Sequence, residues 1–379
     1  MIDIMDGGSS IDQLFCPVSL GGLALRNRFV MAPMTRCCSP NGVPGPEVAH
    51  YYARRAQGGV GLIISEGTSV CHPAASNDSN IPRFHGDDAL AGWRRVASQV
   101  RAAGGRIMPQ LWHVGLVRKR AVETLSQGAR SSAEVSPSGL LNADTKLGEP
   151  MSAAEIEDVV QSFASCAESA MRLGFDGIEL QGAHGYLIDQ FLWEATNRRT
   201  DAYGGSPRKR SKFAAEIVAE CRRRTRPDFP IVFRFSQWKQ QDYTARLATS
   251  PAELEQVLEP LVEAGVDIFH CSQRRYWQPE FPDSPFTLAG WTKAVTGKPA
   301  IIVGSVGLDR DLTSAGFAVG ASALVADLGK LPGMLCQEQF DLVAVGRAMI
   351  ANADWCHLVQ GGKWRHATPY SSDLLQRLY

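Results

Sequence analysis

Short apolar runs alternate with amphipathic segments along almost the whole chain. The runs cover 29–33, 61–65, 106–111, 177–180, 231–235, 268–271, 300–303 and 342–345. Each has the length of a strand rather than a helix, and several are rich in β-branched residues, so they read as eight strands buried on both faces. Helical spacing fills the intervals. It is clearest over 153–173, where Ile156, Val159, Val160, Phe163, Ala167, Ala170 and Met171 share one face. Ser152 and Glu155 form a capping box at its start, and Ser250, Pro251 and Glu253 give the same signal ahead of 254–264.

Strand followed by helix, repeated through the chain, predicts an α/β fold: a single (β/α)8 TIM barrel occupying 1–379 as one domain. A doubly wound open sheet is the runner-up, disfavoured because no GxGxxG opens a helix after the first strand. Two stretches interrupt the repeat. Residues 113–150 hold few large apolar side chains and form an excursion after strand three, a lid or hairpin or else a packed surface loop. Residues 273–285, after strand six, carry Arg274, Arg275, Tyr276, Trp277 and Phe281.

Charge and cysteine usage narrow the function classes. Lys plus Arg and Asp plus Glu both number 39, so nothing draws the chain to nucleic acid or anionic lipid. The local runs Arg118, Lys119, Arg120 and Arg222, Arg223, Arg224 are read as solvated surface. Nine cysteines without a CxxC pair suggest neither a disulfide framework nor a metal cluster, and a cytoplasmic setting is expected. The acidic start (Asp3, Asp6, Asp12) resembles no secretory leader, and no run is long and apolar enough for a membrane span.

Barrel chemistry sits at the C-terminal ends of the strands. There the chain offers Pro33, Met34 and Thr35 after strand one, then Glu66 and Gly67, then Gln110, Trp112 and His113. Strand four ends in Gln181, His184 and Tyr186, and strand five carries Arg234. Gly304, Ser305 and Gly307 follow strand seven, and Gly346 and Arg347 follow strand eight. Glycines admit an anion to the backbone and a guanidinium pairs with it, so the last two groups read as a phosphate site. A lone histidine or tyrosine at a strand end is more often packing than chemistry.

Six blocks in order and spacing resemble the Old Yellow Enzyme family: FCPVSLGGLALRNRFVMAPMT from Phe15, GLIISEGT from Gly61, QLWH from Gln110, AHGYLIDQFL from Ala183, NRRTDAYGGS from Asn197, and DLVAVGRAMIANADW from Asp341. The first block resembles the family's N-terminal cap over the barrel floor. Carried over by position, the resemblance implies FMN held by Pro33, Met34, Thr35, Gly67, Gln110 and Arg234, with Gly304, Ser305, Gly346 and Arg347 around its phosphate. NADH or NADPH would give the hydride. No metal is expected.

The implied reaction is reduction of an activated alkene such as an enone. Gln181 and His184 would hold the carbonyl oxygen, and Tyr186 would protonate the carbon. Most family members have histidine where this chain has Gln181, and an amide cannot become cationic. Trp112 resembles the family's pocket-wall aromatic; Tyr276 and Trp277 are a second wall or else packing. Cys37 and Cys38 read as structural thiols, since Thr35 occupies the position of a flavin-tuning cysteine in some members. Partners are small molecules, with no oligomeric state assigned. The alternatives are a flavin protein passing electrons to quinones or other acceptors without alkene turnover, and a metal hydrolase using His113, His184 and Glu66, for which the sequence has no HxH or HExxH spacing.

Overall fold

The computed structural model describes residues 10–76, 78–117, 134–311 and 321–379. Eight parallel strands close into a barrel: β1 (Phe29–Met31), β2 (Leu62–Ser69), β3 (Ile107–Trp112), β4 (Ile178–His184), β5 (Ile231–Lys239), β6 (Ile268–Ser272), β7 (Ala300–Val303) and β8 (Leu342–Val345). They pair in chain order, and β8 returns to β1 through Val343 opposite Phe29. All eight predicted runs are strands.

Side chains alternate across each strand, which splits the core in two. Outward residues such as Phe29, Ile63, Leu180, Phe233 and Val343 pack against the helical ring. That ring includes α1 (Pro46–Gln57), α2 (Asp87–Ala102), α3 (Ala153–Leu173), α6 (Lys212–Arg224), α7 (Pro251–Ala264) and α8 (Leu288–Thr296), with short α4 (Leu187–Leu192) and α5 (Pro207–Arg210) between β4 and α6. Inward residues Val30, Leu62, Ile64, Met108, Val232, Ile268, Ile301 and Leu342 fill the lower barrel. A hairpin of Val18–Leu20 and Leu23–Leu25 closes the floor, sending Leu23 and Leu25 into that inner cluster, as the cap segment predicts.

The capping box of α3 is formed, with Glu155 Oε2 accepting from Ser152 N at 2.7 Å, and Gly174 ends the helix in the left-handed region at φ 82°. At α7 Ser250 caps Glu253 N, but the Glu253 carboxylate accepts from Thr249 N rather than from Ser250. Of the 113–150 excursion, 118–133 lie outside the described residues, and with them the Arg118–Lys119–Arg120 run. Its later part carries a small antiparallel bridge, Leu140 to Lys146, with Gly139 at φ 72° where a Cβ would meet Gly148 O.

Three strands outrun their predicted ends by four residues, β2 to Ser69, β4 to His184 and β5 to Lys239, while β3 and β6 run one residue further, to Trp112 and Ser272. Register slips between Ile64 and Gly67 against β3, and between Gly182 and His184 against β5. Such bulges turn side chains to new directions at a barrel rim, and they fall where the candidate chemistry lies.

Candidate active site

Along the inner face of the later strands the residues change from apolar at the floor to polar at the mouth. On β5 the order is Val232 then Arg234; on β6 it is Ile268, His270, Ser272; on β3 it is Met108, Gln110, Trp112. Glu179, fully buried on β4, ties the polar layer together. Its two oxygens accept from Gln110 Nε2 at 2.7 Å and meet His270 Nδ1 at 2.6 Å. Burial, partly offset by Glu179, pushes the His270 pKa down. Glu179, His270 and Ser272 were not picked out from the sequence. The signal was there: polar residues at alternate positions of otherwise apolar runs.

Arg234 sits above this layer, 7% exposed. Among the described residues it forms no ion pair; its Nη2 donates to Ser272 Oγ at 3.4 Å and its Nε has no partner. Burial pushes its pKa down, with Glu179 offsetting part of that cost, and the unpartnered Nε calls for an acceptor from outside the chain.

Gln181, His184 and Tyr186 gather at the end of β4. Gln181 Nε2 lies 3.3 Å from His184 Nδ1, and His184 Nε2 lies 2.7 Å from Ser272 Oγ. His184 adopts φ 66°, a left-handed conformation held by its N–H donating to Ser236 Oγ at 2.9 Å. Burial, with Arg234, Lys239 and His270 nearby, pushes its pKa well below the usual 6.5, so the ring is neutral. Gly185 is pinned from below: its N–H donates to Asp189 Oδ2 and its carbonyl accepts from Gln190 Nε2. Asp189 in turn pairs with Lys239 at 2.6 Å, both side chains fully buried. Tyr186 stands edge-on to Trp112, centroids 5.0 Å apart at 83°. Burial raises its phenol pKa above 10, so it keeps its proton at neutral pH.

The walls are aromatic. Trp112 joins Ile81, Val114, Cys37 and Tyr186 in one cluster, and its ring lies where a Cβ on Gly67 would come within 3.1 Å. Trp238, which the sequence reading passed over, stacks on His184 and on Tyr243. Tyr276 and Trp277 instead pack on each other at 5.0 Å; Tyr276 belongs to the outer core, and Trp277 lines a surface cleft with Lys330 and Met334. They share no described ring contact with Trp112, Tyr186 or Trp238. Glu66 accepts from the N–H groups of Arg36 and Cys37, fixing the loop after Pro33, Met34 and Thr35; burial raises its pKa to about 7.

On the opposite rim, Gly304 has φ 140° and a Cβ there would strike Gln273 O at 2.6 Å, while Ser305 follows at φ 55°. Arg347 donates to Arg310 O and to Ser305 Oγ, and stands over the Tyr370 ring. Gly346 abuts Met34, a Cβ there lying 3.3 Å from its sulfur. The ends of β7, β8 and β1 therefore form one continuous cradle. His113 meets His72 at 3.0 Å, apart from this set, and among the described residues no group of three His, Cys, Asp or Glu side chains could hold a metal.

These residues suit a flavin. Arg234 Nε, Gln181 Oε1 and Trp112 Nε1 are buried without partners, the backbone at Gly304 admits no side chain, and a Cβ at Gly67 would press on the Trp112 ring.

Residues 13–365 match the NADH:flavin oxidoreductase / NADH oxidase family. The chain belongs to that family, the Old Yellow Enzyme family of the sequence resemblance, and its cofactor is FMN. It is 33% identical to the NADH oxidase of Thermoanaerobacter brockii over 93% of its length and 51% of that protein, and 31% identical to 12-oxophytodienoate reductase 2 of Arabidopsis thaliana over 95% and 92%. A 12-oxophytodienoate reductase 7 of Oryza sativa subsp. japonica is 40% identical over 54% of each chain. The chain thus spans about half of some curated relatives. Morphinone reductase in complex with tetrahydroNAD has the same fold, with TM-score 0.74 and 30% identity over 92% of this chain and 91% of that one. No helix among the described residues is long and apolar enough to cross a membrane.

Proposed function

We propose that this chain reduces the C=C bond of enones and similar activated alkenes using NAD(P)H. The observation that carries this reading is Gln181 against His184 and Tyr186 against Trp112 at the end of β4, beside Arg234 with its unpartnered Nε. Pro33, Met34, Thr35, Gly67, Gln110 and Arg234 would hold the ring of FMN, and Gly304, Ser305, Gly346 and Arg347 its phosphate. The bound flavin supplies the hydride chemistry.

The protein's own groups do the rest. Gln181 and His184 form the pocket for the substrate's carbonyl oxygen, and a donor there draws electron density from the alkene as charge builds on the oxygen. Tyr186, kept protonated by burial, gives its proton to the α-carbon. Trp112 and Trp238 exclude water and limit substrate width. Small molecules are the partners, and the balance of 39 basic against 39 acidic residues supplies no field for nucleic acid. Cysteines without a disulfide suit a reducing cytoplasm.

The test is steady-state turnover of 2-cyclohexenone under argon with product analysis. One cyclohexanone per nicotinamide oxidised is expected; oxidation of nicotinamide with a quinone but not with the enone would replace this reading with electron transfer to other acceptors.

A further inference from the structure

Ser272 ends β6 with its hydroxyl between two groups of the site. The residue is 3% exposed, and its Oγ lies 2.7 Å from His184 Nε2 and 3.4 Å from Arg234 Nη2. A guanidinium has hydrogens only to give, so the serine oxygen accepts from Arg234. Among the described residues the hydroxyl hydrogen meets no acceptor other than His184 Nε2, and a buried hydroxyl left without one is costly, so it is donated there. A neutral imidazole carries one ring hydrogen, which this leaves on Nδ1.

That hydrogen points at Gln181, whose amide lies 3.3 Å from Nδ1. An amide can turn either end toward a neighbour, and the network decides which. The Nδ1 hydrogen needs an acceptor, so the Gln181 amide is read turned end for end, its oxygen toward His184 and its NH2 group on the side where the structure leaves Oε1 buried without a partner. The geometry leaves little freedom. Trp238 stacks on the His184 ring at 4.5 Å, and its indole N–H donates to the Ser272 carbonyl at 3.1 Å.

We infer that Ser272 is a positioning residue of the carbonyl pocket: it fixes His184 as the Nδ1–H tautomer, so a directed chain from Arg234 through Ser272 and His184 ends on Gln181, whose NH2 alone contacts the substrate oxygen. This rests on the carbonyl-pocket reading and divides its roles. His184 orients; Gln181 binds. Successive hydrogen bonds polarise one another in a low-dielectric site, and a positive charge stands at the far end of this one. A neutral amide can thereby respond to charge developing on the substrate without being cationic itself. The pocket presents donors, which selects carbonyl, nitro and phenolate oxygens over groups that must themselves donate.

The experiment uses FMN-loaded protein labelled with 15N-histidine, the His184 signals being assigned by their loss in His184→Asn. The Nδ1–H tautomer is expected in the wild type. Ser272→Ala should admit the Nε2–H tautomer and weaken binding of 4-hydroxybenzaldehyde, followed by calorimetry, about tenfold. Ser272→Thr, which keeps the hydroxyl, should restore both. An Nε2–H signal in the wild type overturns the inference even if the variants do not fold, as does a Ser272→Ala protein with tautomer and affinity unchanged. Neither readout needs turnover, so a protein that passes both yet reduces no enone would refute the alkene reaction and leave the relay standing.

Discussion

The His184 imidazole lies face to face with the Trp238 indole, centroids 4.5 Å apart and 26° from parallel. Trp238 is itself backed by Tyr243, at 5.4 Å and 5°. The ring that orients the carbonyl pocket is thus held by the extension of β5. Removing the indole frees the imidazole to turn and opens space beside it. Trp238→Ala is expected to lower kcat/KM for 2-cyclohexenone about tenfold, mainly through KM, with Trp238→Phe close to wild type. Steady-state kinetics of the two variants checks this; equal values for all three proteins would place Trp238 outside the pocket.

Tyr186→Phe removes a proton source and leaves the ring on Trp112. Reoxidation of the reduced enzyme by enone should slow about a hundredfold, within the range of general acid catalysis, while reduction by NAD(P)H keeps its rate. Stopped-flow measurement of each half-reaction separates the two. Equal losses in both would exclude Tyr186 as the proton donor. Because its pKa is raised above 10, no loss of this step from Tyr186 ionisation is expected between pH 6 and about 9.

Lys239 and Asp189 pair with both side chains fully buried, and Asp189 also fixes the Gly185 N–H between His184 and Tyr186. Asp189→Ala strands a buried ammonium and frees that backbone, at a cost of about 3–5 kcal/mol in urea unfolding. Asp189→Leu combined with Lys239→Met should recover at least half of that loss, since the charge is then gone. A double variant no better than the single one would mean that the Gly185 contact, rather than the charge, carries the effect.

Glu66 gives a pH signature. Burial raises its folded pKa from 4.5 to about 7. A carboxyl whose folded pKa is raised binds more protons folded than unfolded between those values, so stability falls as pH rises through that window. Glu66→Gln keeps an oxygen for the Arg36 and Cys37 N–H groups and removes the charge. It should be the more stable protein at pH 8, by at most about 3 kcal/mol, with the difference gone at pH 4. Denaturation midpoints of both proteins across that range decide it; parallel curves would show that Glu66 titrates normally.

The barrel was legible because parallel strands buried on both faces leave continuous apolar runs, and β7 and β8 match theirs at both ends. The upper parts of β2, β4 and β5 were not, since polar residues such as Thr68, His184 and Gln237 break the run while the backbone goes on pairing. The positions of Gln181, His184, Tyr186 and Arg234 could be taken from strand ends and resemblance. Their partners could not: Ser272 closes β6 as an ordinary small polar residue, and Trp238 follows Arg234 in a stretch with no periodic signal. Tyr276 and Trp277 share a loop with the pocket but turn to the outer core, because loop position does not fix side-chain direction.

The most direct measurement is the anaerobic visible spectrum of the purified protein, followed as NADH or NADPH and then 2-cyclohexenone are added. A flavin band that bleaches with the nicotinamide and returns with the enone is predicted. A flavin that bleaches and stays reduced in the presence of enone would contradict alkene reduction at this site.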